Sequence, residues 1–196
     1  MKNRVFAMLS SLTLLTAAAA FAQSGAVQQK PVKMTFSGSI VSTTLEIQPN
    51  TFNHEEHLAG NGTLGPFTFR NLWADDPSSQ SQGSCGSGSG PNYRVVRGGG
   101  VFRFHDGSLL AVGITGGTLC VDLVAQPPVG HLTETYQITG GTGRFKGATG
   151  TLALKATLGA VLFDTSGMAK FLMSTGELEG TVVRAAVEEE RQGEQQ

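Results

Sequence analysis

The stretch YQITGGTGRFKGATGTL, residues 136–152, is the most distinctive part of the sequence and decides the predicted fold. Tyr136 and Ile138 end an alternating run that is typical of a β-strand. A turn follows, because glycine adopts positive φ without strain, and a second β-type run begins at Phe145. The glycines concerned are Gly140, Gly141, Gly143, Gly147 and Gly150. The first three are expected to form the turn, and the last two allow a strand to bend or to approach a neighbouring backbone closely.

The same stretch does not fit a phosphate-binding loop. A dinucleotide fingerprint places its glycines between a strand and a helix, whereas a β-type run follows the glycines here. A P-loop requires Gly-Lys followed by Ser or Thr, and this chain has Lys146 followed by Gly147. We therefore expect no nucleotide and no other cofactor.

The rest of the chain has a similar strand-and-turn pattern. Glycine makes up 27 of the 196 residues, and the glycines separate short runs rich in Val, Thr, Phe, Ile and Leu. That pattern predicts about eight strands between residues 33 and 185, in an all-β closed barrel or sandwich. Asp106-Gly107 predicts a two-residue type I′ hairpin. The polar segment Asp75–Pro91 interrupts the rhythm and is interpreted as a flexible surface loop or as a lid.

Residues Tyr136–Leu154 resemble the signature of the allene oxide cyclase barrel superfamily, which includes plant dirigent proteins and exported bacterial proteins. Residues Leu58–Leu64 resemble a preceding strand of the same families more weakly. The resemblance implies a small, closed, eight-stranded antiparallel barrel with an apolar interior, often trimeric. Proteins of these families hold a reactive intermediate and steer its ring closure or coupling. Only the glycines and the Arg144-Phe145 pair match residue by residue, so the resemblance assigns no catalytic residue here.

The N-terminus has the layout of a secretory signal. Lys2 and Arg4 precede the apolar run Val5–Ala20, and Ala20-Phe21-Ala22 supplies small residues for signal peptidase. We expect a signal peptide at 1–22, a flexible segment at 23–32, the barrel domain at 33–185 and a disordered acidic tail at 186–196. The mature protein is expected to be secreted or periplasmic, and no later run is long enough to span a membrane as a helix.

Cysteine usage and charge narrow the function classes. Cys85 and Cys120 are the two cysteines, and in an oxidising compartment an even count suggests a disulfide, the alternative being two buried thiols. They have no paired histidines nearby, so no zinc site is expected. The formal net charge is −1, which provides no basic field for nucleic acid.

Three polar residues within alternating runs are candidates for an interior site: Arg103, Glu134 and Tyr136. Glu134 and Tyr136 share one face of their strand, so the two point inward together or outward together. A carboxyl in an apolar cavity would have a raised pKa and could act as an acid or a base. The alternative is that this face is solvated.

Two other polar clusters have simpler interpretations. His54-Glu55-Glu56-His57 spaces its histidines by three rather than by the four of the zincin motif, so it is interpreted as a polar surface turn or a weak metal site. His105 and Asp106 could form an acid–base pair. They lie on the predicted hairpin turn, however, and the turn itself explains the Asp-Gly sequence.

These observations leave three functions open. The first is a non-enzymatic exported barrel that binds a small apolar ligand or packs into an oligomer. The second, which rests on the resemblance, is an isomerase or cyclase-like enzyme that steers a reactive apolar intermediate. The third is a structural, envelope-associated protein with a filled barrel.

Overall fold

The computed structural model describes residues 28–86 and 88–184, and these form one closed antiparallel barrel. Its strands follow one another around the barrel in chain order. They are β1 (Gln28–Thr43), β2 (Phe52–Gly62), β3 (Phe67–Cys85), β4 (Gly88–Phe104), β5 (Leu109–Asp122), β6 (Val129–Gly141), β7 (Thr149–Phe163) and β8 (Ala169–Arg184). The prediction of an all-β closed barrel of eight strands is confirmed, and the sandwich alternative is wrong.

Alternation of side chains creates the interior. Along β6 and β7, buried residues alternate with exposed ones, as expected for a strand with one face on a core. The buried faces of all eight strands together make the core, whose largest fully buried side chains include Trp73, Tyr136, Phe69 and Phe102. The ladder closes when β1 pairs with β8, from Gln28 opposite Arg184 to Val41 opposite Phe171.

The up-and-down order places the connections at two ends of the barrel. The arginine end, as we name it here, carries the connections 63–66, 105–108 and 142–148. The disulfide end carries the connections 44–51, 123–128 and 164–168, and the turn at Gly86. Cys85 and Cys120 are bonded near this second end, with Cα atoms 5.7 Å apart, which confirms the predicted disulfide.

Arg144 ties the arginine end together. Its Nη2 donates a hydrogen bond to the carbonyl oxygen of Leu64 at 2.6 Å, and its Nε lies 3.2 Å from Oδ2 of Asp106. Its guanidinium carbon lies 4.8 Å from the ring centroids of both Phe104 and Phe145, which is cation–π distance. One side chain therefore links all three connections of this end and covers the rings of Phe104 and Phe145.

We expect Arg144→Ala to lower the free energy of unfolding by about 2 kcal/mol, because a charged hydrogen bond and two ring contacts are lost. Urea denaturation followed by fluorescence of Trp73, the only tryptophan, measures the change. Arg103→Ala is the matched control, since Arg103 is exposed and its removal should alter stability by less than about 0.5 kcal/mol. Equal losses in the two variants would contradict the tying role.

The glycine stretch differs in detail from its prediction. Gly140 and Gly141 complete β6, and a single 3₁₀ turn, Gly143–Phe145, separates it from β7. β7 begins at Thr149 rather than at Phe145, so that part of the prediction is wrong. Of this stretch, Gly143, Gly147 and Gly150 have positive φ. At Gly143 a Cβ would also lie 2.5 Å from Oγ of Ser108. Both the positive φ and the Ser108 side chain therefore disfavour any residue other than glycine here.

Two further predictions are corrected. Asp75–Pro91 is neither a surface loop nor a lid, because it continues β3 and β4 as a paired ribbon in which Gln82 lies opposite Pro91. Its backbone hydrogen bonds and the disulfide hold it, so an apolar face is not needed. At residues 105–108 only Gly107 has positive φ, whereas a type I′ turn needs two such residues. The predicted type I′ hairpin is therefore wrong.

β1 begins at Gln28, so residues 28–32 belong to the barrel and not to a flexible segment ahead of it. The predicted signal peptide at 1–22 and the acidic tail at 186–196 lie outside the described residues. Within residues 28–86 and 88–184, no helix is long and apolar enough to cross a membrane.

Candidate functional site

Four polar side chains meet in the middle of the barrel. Glu56 on β2 lies opposite Asn71 on β3, and Glu134 and Tyr136 lie two residues apart on β6, across the barrel. All four are at most 2% exposed. Pairing places the first two side by side and alternation places the last two on the inward face, so their side chains converge from opposite walls. We call this group the carboxyl cluster.

The hydrogen bonds of the carboxyl cluster centre on the Asn71 amide. Its Nδ2 lies 3.0 Å from the Tyr136 hydroxyl oxygen, 3.3 Å from Oε2 of Glu56 and 3.5 Å from Oε2 of Glu134. An amide nitrogen carries only two hydrogens, so these three acceptors compete for two donors. The Tyr136 hydroxyl in turn donates to Oε2 of Glu134. The cluster is thus connected but not saturated.

Three buried oxygen atoms of the cluster have no hydrogen-bond partner: Oε1 of Glu56, Oδ1 of Asn71 and Oε1 of Glu134. An unsatisfied buried polar group costs about 1–3 kcal/mol, and few such groups occur in native proteins. Three of them at one place in an apolar interior make the carboxyl cluster the candidate functional site.

Burial governs the protonation of the carboxyl cluster. Loss of solvation raises the pKa of Glu56 from 4.5 to about 7, and the Asn71 hydrogen bond opposes this only in part. Loss of solvation raises the pKa of Glu134 well above its ordinary value, and the nearby charge of Glu56 raises it further. Burial and the two carboxylates also raise the pKa of Tyr136. Burial therefore favours the protonated form of both carboxyls, and the charge of Glu56 adds to this effect at Glu134.

These pKa shifts predict how stability depends on pH. The folded chain holds the Glu56 proton up to about pH 7 and the unfolded chain only to about 4.5. Protonation of Glu56 therefore stabilises the folded state, and this stabilisation is complete below pH 4.5. It is lost as pH rises towards 7, by on the order of 3 kcal/mol, and Glu134 extends the loss to higher pH. Urea unfolding gives the free energy of unfolding at pH 4.5 and at pH 8. Between these two pH values, we expect it to fall by this amount more in wild type than in Glu56→Gln.

Glu179→Gln is the control for that comparison, since Glu179 is half-exposed on β8 and pairs with Lys33 at 3.2 Å. Its stability should follow wild type across the same pH range to within about 0.5 kcal/mol. Parallel pH curves for wild type and Glu56→Gln would contradict the buried, proton-holding state of Glu56.

An aromatic wall separates the carboxyl cluster from the arginine end. The rings of Phe69 and Phe102 stack with centroids 4.0 Å apart, and Phe69 meets Tyr136 edge-on at 5.9 Å. Phe104 and Phe145 continue the wall towards Arg144, with centroids 4.7 Å apart. The interior on this side of the cluster is therefore apolar, and it ends at the Arg144 contacts.

On the other side of the cluster, one layer nearer the disulfide end, lie His54 and Trp73. They are opposite each other in the β2–β3 ladder, and their rings stack with centroids 4.1 Å apart. Nε2 of His54 is 2.8 Å from Oδ1 of the buried Asp75. Nδ1 of His54 and Nε1 of Trp73 are both buried without a partner. This second polar layer lies between the carboxyl cluster and the disulfide end.

The disulfide end itself is surrounded by exposed apolar side chains. Among the described residues, every large exposed hydrophobic except Val101 lies here: Leu45, Phe52, Leu123, Val124, Val161, Leu162, Phe163, Met168 and Met173. We call this set the apolar rim. Such a concentration is unusual on a soluble surface and is typical of a place where apolar molecules or partners make contact.

A groove of about 500 Å³ lies elsewhere, on the outer wall of β1, β6, β7 and β8. Its lining includes Thr133, Lys155 and Glu177, which alternate with the buried residues of their strands. The groove therefore does not connect with the carboxyl cluster, and its polar threonine and charged walls do not suit an apolar ligand. We place the chemistry in the interior because the buried, unsatisfied groups are there.

The structure separates the three residues proposed from the sequence. Glu134 and Tyr136 lie together in the interior, whereas Arg103 is exposed on β4 between the buried Phe102 and Phe104. Sequence reasoning missed Glu56 and Asn71. The segment 54–57 is part of β2 and not a surface turn, and alternation with the buried Leu58 was the signal that could have placed Glu56 inside.

The metal interpretation of residues 54–57 gains no support. His54 lies in the inner layer with Trp73, whereas His57 is partly exposed and bonds Oε1 of Glu55 at 2.6 Å. Within the described part of the chain, no three His, Cys, Asp or Glu side chains are arranged to hold a metal ion.

Comparison with known proteins yields a likeness of fold. A solved structure of a pterocarpan synthase dirigent protein is similar with a TM-score of 0.41 and 12% identity, over 83% of this chain and 88% of that one. The sequence matches no family model and no curated protein. The functional proposals below rest on the residues of this chain, and kinship with allene oxide cyclases stays a prediction.

Proposed function

We propose that this protein is an exported barrel that binds a small, mainly apolar ligand in its interior, with one polar group of the ligand held by the carboxyl cluster. The observation that carries the proposal is the set of unpartnered oxygen atoms on Glu56, Asn71 and Glu134 in the middle of an apolar barrel. A polar group on a ligand would form hydrogen bonds with them, whereas an interior designed only for stability would contain apolar side chains there.

The two ends of the barrel support access from one side. The arginine end is closed by Arg144 over Phe104 and Phe145. The disulfide end carries the apolar rim, which offers an apolar molecule its first contact surface. Because the interior side chains are almost entirely buried, a ligand reaches the carboxyl cluster only when side chains near the disulfide end move aside.

Export is part of the proposal. The disulfide between Cys85 and Cys120 fits a compartment outside the cytoplasm, where such bonds form and persist. The sequence adds the signal layout at residues 1–22. We also propose the trimer that the sequence resemblance implies, and the experiment below measures it together with ligand retention.

Native mass spectrometry of the protein purified from its own host tests the proposal. We expect the mass of a chain that begins at Gln23, three copies per particle, and an additional small molecule that is lost after denaturation and refolding. If the protein is recovered as bare chains that take up no ligand from host extract, the binding function is wrong. The structural barrel with a filled interior is then favoured.

Glu134→Gln is the informative variant in that experiment. It keeps the size of the side chain but replaces the carboxyl O–H by an amide N–H, a weaker donor, so its ligand retention should fall by about fivefold, as expected when a hydrogen bond to the ligand is weakened. Glu179→Gln, on the exposed face of β8, should retain ligand like wild type. Equal retention in both variants would place the ligand away from the carboxyl cluster.

A second function is favoured by a specific observation, two neighbouring buried carboxyls whose pKa values are both raised. Burial raises the pKa of Glu56 to about 7, and burial together with the charge of Glu56 raises the pKa of Glu134 well above its ordinary value. Two carboxyls with such shifted pKa values can serve as a general acid and a general base. An isomerase or cyclase-like enzyme would use them to move a proton on a bound intermediate. In that case host-purified Glu134→Gln would retain a ligand that differs in structure, but not in mass, from the wild-type ligand.

A further inference from the structure

The stacked His54 and Trp73 rings make a second polar site in the interior, apart from the carboxyl cluster. Trp73 is 1% exposed, and its Nε1 has no hydrogen-bond partner. Tryptophan is placed inside a protein at little cost only when its N–H finds an acceptor. His54 stacks on it at 4.1 Å and has a buried, unpartnered Nδ1 of its own.

Asp75 decides what His54 offers. The Asp75 carboxylate can only accept a hydrogen bond, so Nε2 of His54 carries the hydrogen that points to it, at 2.8 Å. An imidazole whose one hydrogen is on Nε2 has an acceptor at Nδ1. The layer therefore presents one acceptor, on His54, and one donor, the Trp73 N–H. Because the two rings are in contact, donor and acceptor belong to one stacked pair of side chains, and this spot is buried.

We propose that this spot recognises a hydroxyl group on the apolar ligand. A hydroxyl is the smallest group that both donates and accepts, so one oxygen can donate to Nδ1 of His54 and accept from Nε1 of Trp73. An ether accepts only, and a hydrocarbon does neither. The inference rests on the proposed binding function and adds the chemical class of the ligand and the two residues that select it.

The test uses three probes of similar size: benzyl alcohol, benzyl methyl ether and ethylbenzene. Dissociation constants come from NMR titrations of the folded, disulfide-bonded protein. Trp73 is the only tryptophan, so its indole N–H gives one resonance. We expect that resonance to move downfield with the alcohol and the ether, which accept its hydrogen bond, and not with ethylbenzene. The alcohol should bind about fivefold more tightly than the ether, since it alone donates to His54.

Two variants separate the donor from the acceptor. In His54→Phe an aromatic ring remains to stack on Trp73, but no atom replaces the Nδ1 acceptor, so alcohol binding should weaken about fivefold while the ether and ethylbenzene bind as before. In Trp73→Phe an aromatic face remains without the N–H, so both the alcohol and the ether should weaken. His57→Gln changes the exposed histidine of the same strand and should change no affinity.

The outcomes distinguish this inference from the function beneath it. If none of the probes binds to wild type, interior binding fails and the inference fails with it. If all three bind with equal affinity, or if both variants weaken all three probes alike, the barrel binds apolar molecules but the hydroxyl site is wrong. Only the crossed pattern, with the ether sensitive to Trp73 and insensitive to His54, supports the assignment.

Discussion

The ladder between β1 and β8 is the contact on which the rest of the molecule depends. It runs from Gln28 opposite Arg184 to Val41 opposite Phe171, and it joins the first strand to the last. Without it the sheet would have two unpaired edges and one face would be open to water. With it, the inward faces of eight strands are removed from solvent. The barrel wall itself is thus the cause of the shifted pKa values of Glu56 and Glu134.

Such an interior is an expensive place for charged groups. Replacing buried ionic or polar groups by apolar residues of similar size is often neutral or stabilising, so stability does not explain why this core contains two carboxyls, an amide and a phenol. Their neighbours show that the fold does not need them, because Phe69, Phe102 and Leu154 fill the adjacent positions with apolar groups. Sequences break the rules of core composition mainly at functional sites, and this core breaks them in two adjoining layers.

The parts of the structure that depend on local pattern were predictable from the sequence. Alternation located β6, placed Glu134 and Tyr136 on one face, and the glycine stretch led to barrel closure. Glu56 and Asn71 were missed because alternation is recognised by apolar residues, and the inward positions 54 and 56 are themselves polar. Their relation to Glu134 is set by the register of strands on opposite walls, which no local pattern encodes. The 75–91 ribbon was missed for a similar reason, since its pairing depends on backbone hydrogen bonds and a disulfide.

The order of layers along the barrel axis limits what the interior can accept. Arg144 and the phenylalanines close one end, so a ligand arrives from the apolar rim and meets the His54–Trp73 layer before the carboxyl cluster. Trp73 and Tyr136 are too well packed to leave a passage, and a ligand must displace part of the first layer to enter. Displacing His54 breaks its hydrogen bond to Asp75, whereas displacing Trp73 breaks none, because Nε1 of Trp73 has no partner. In this layer, movement of Trp73 is therefore the movement that costs the least polar energy.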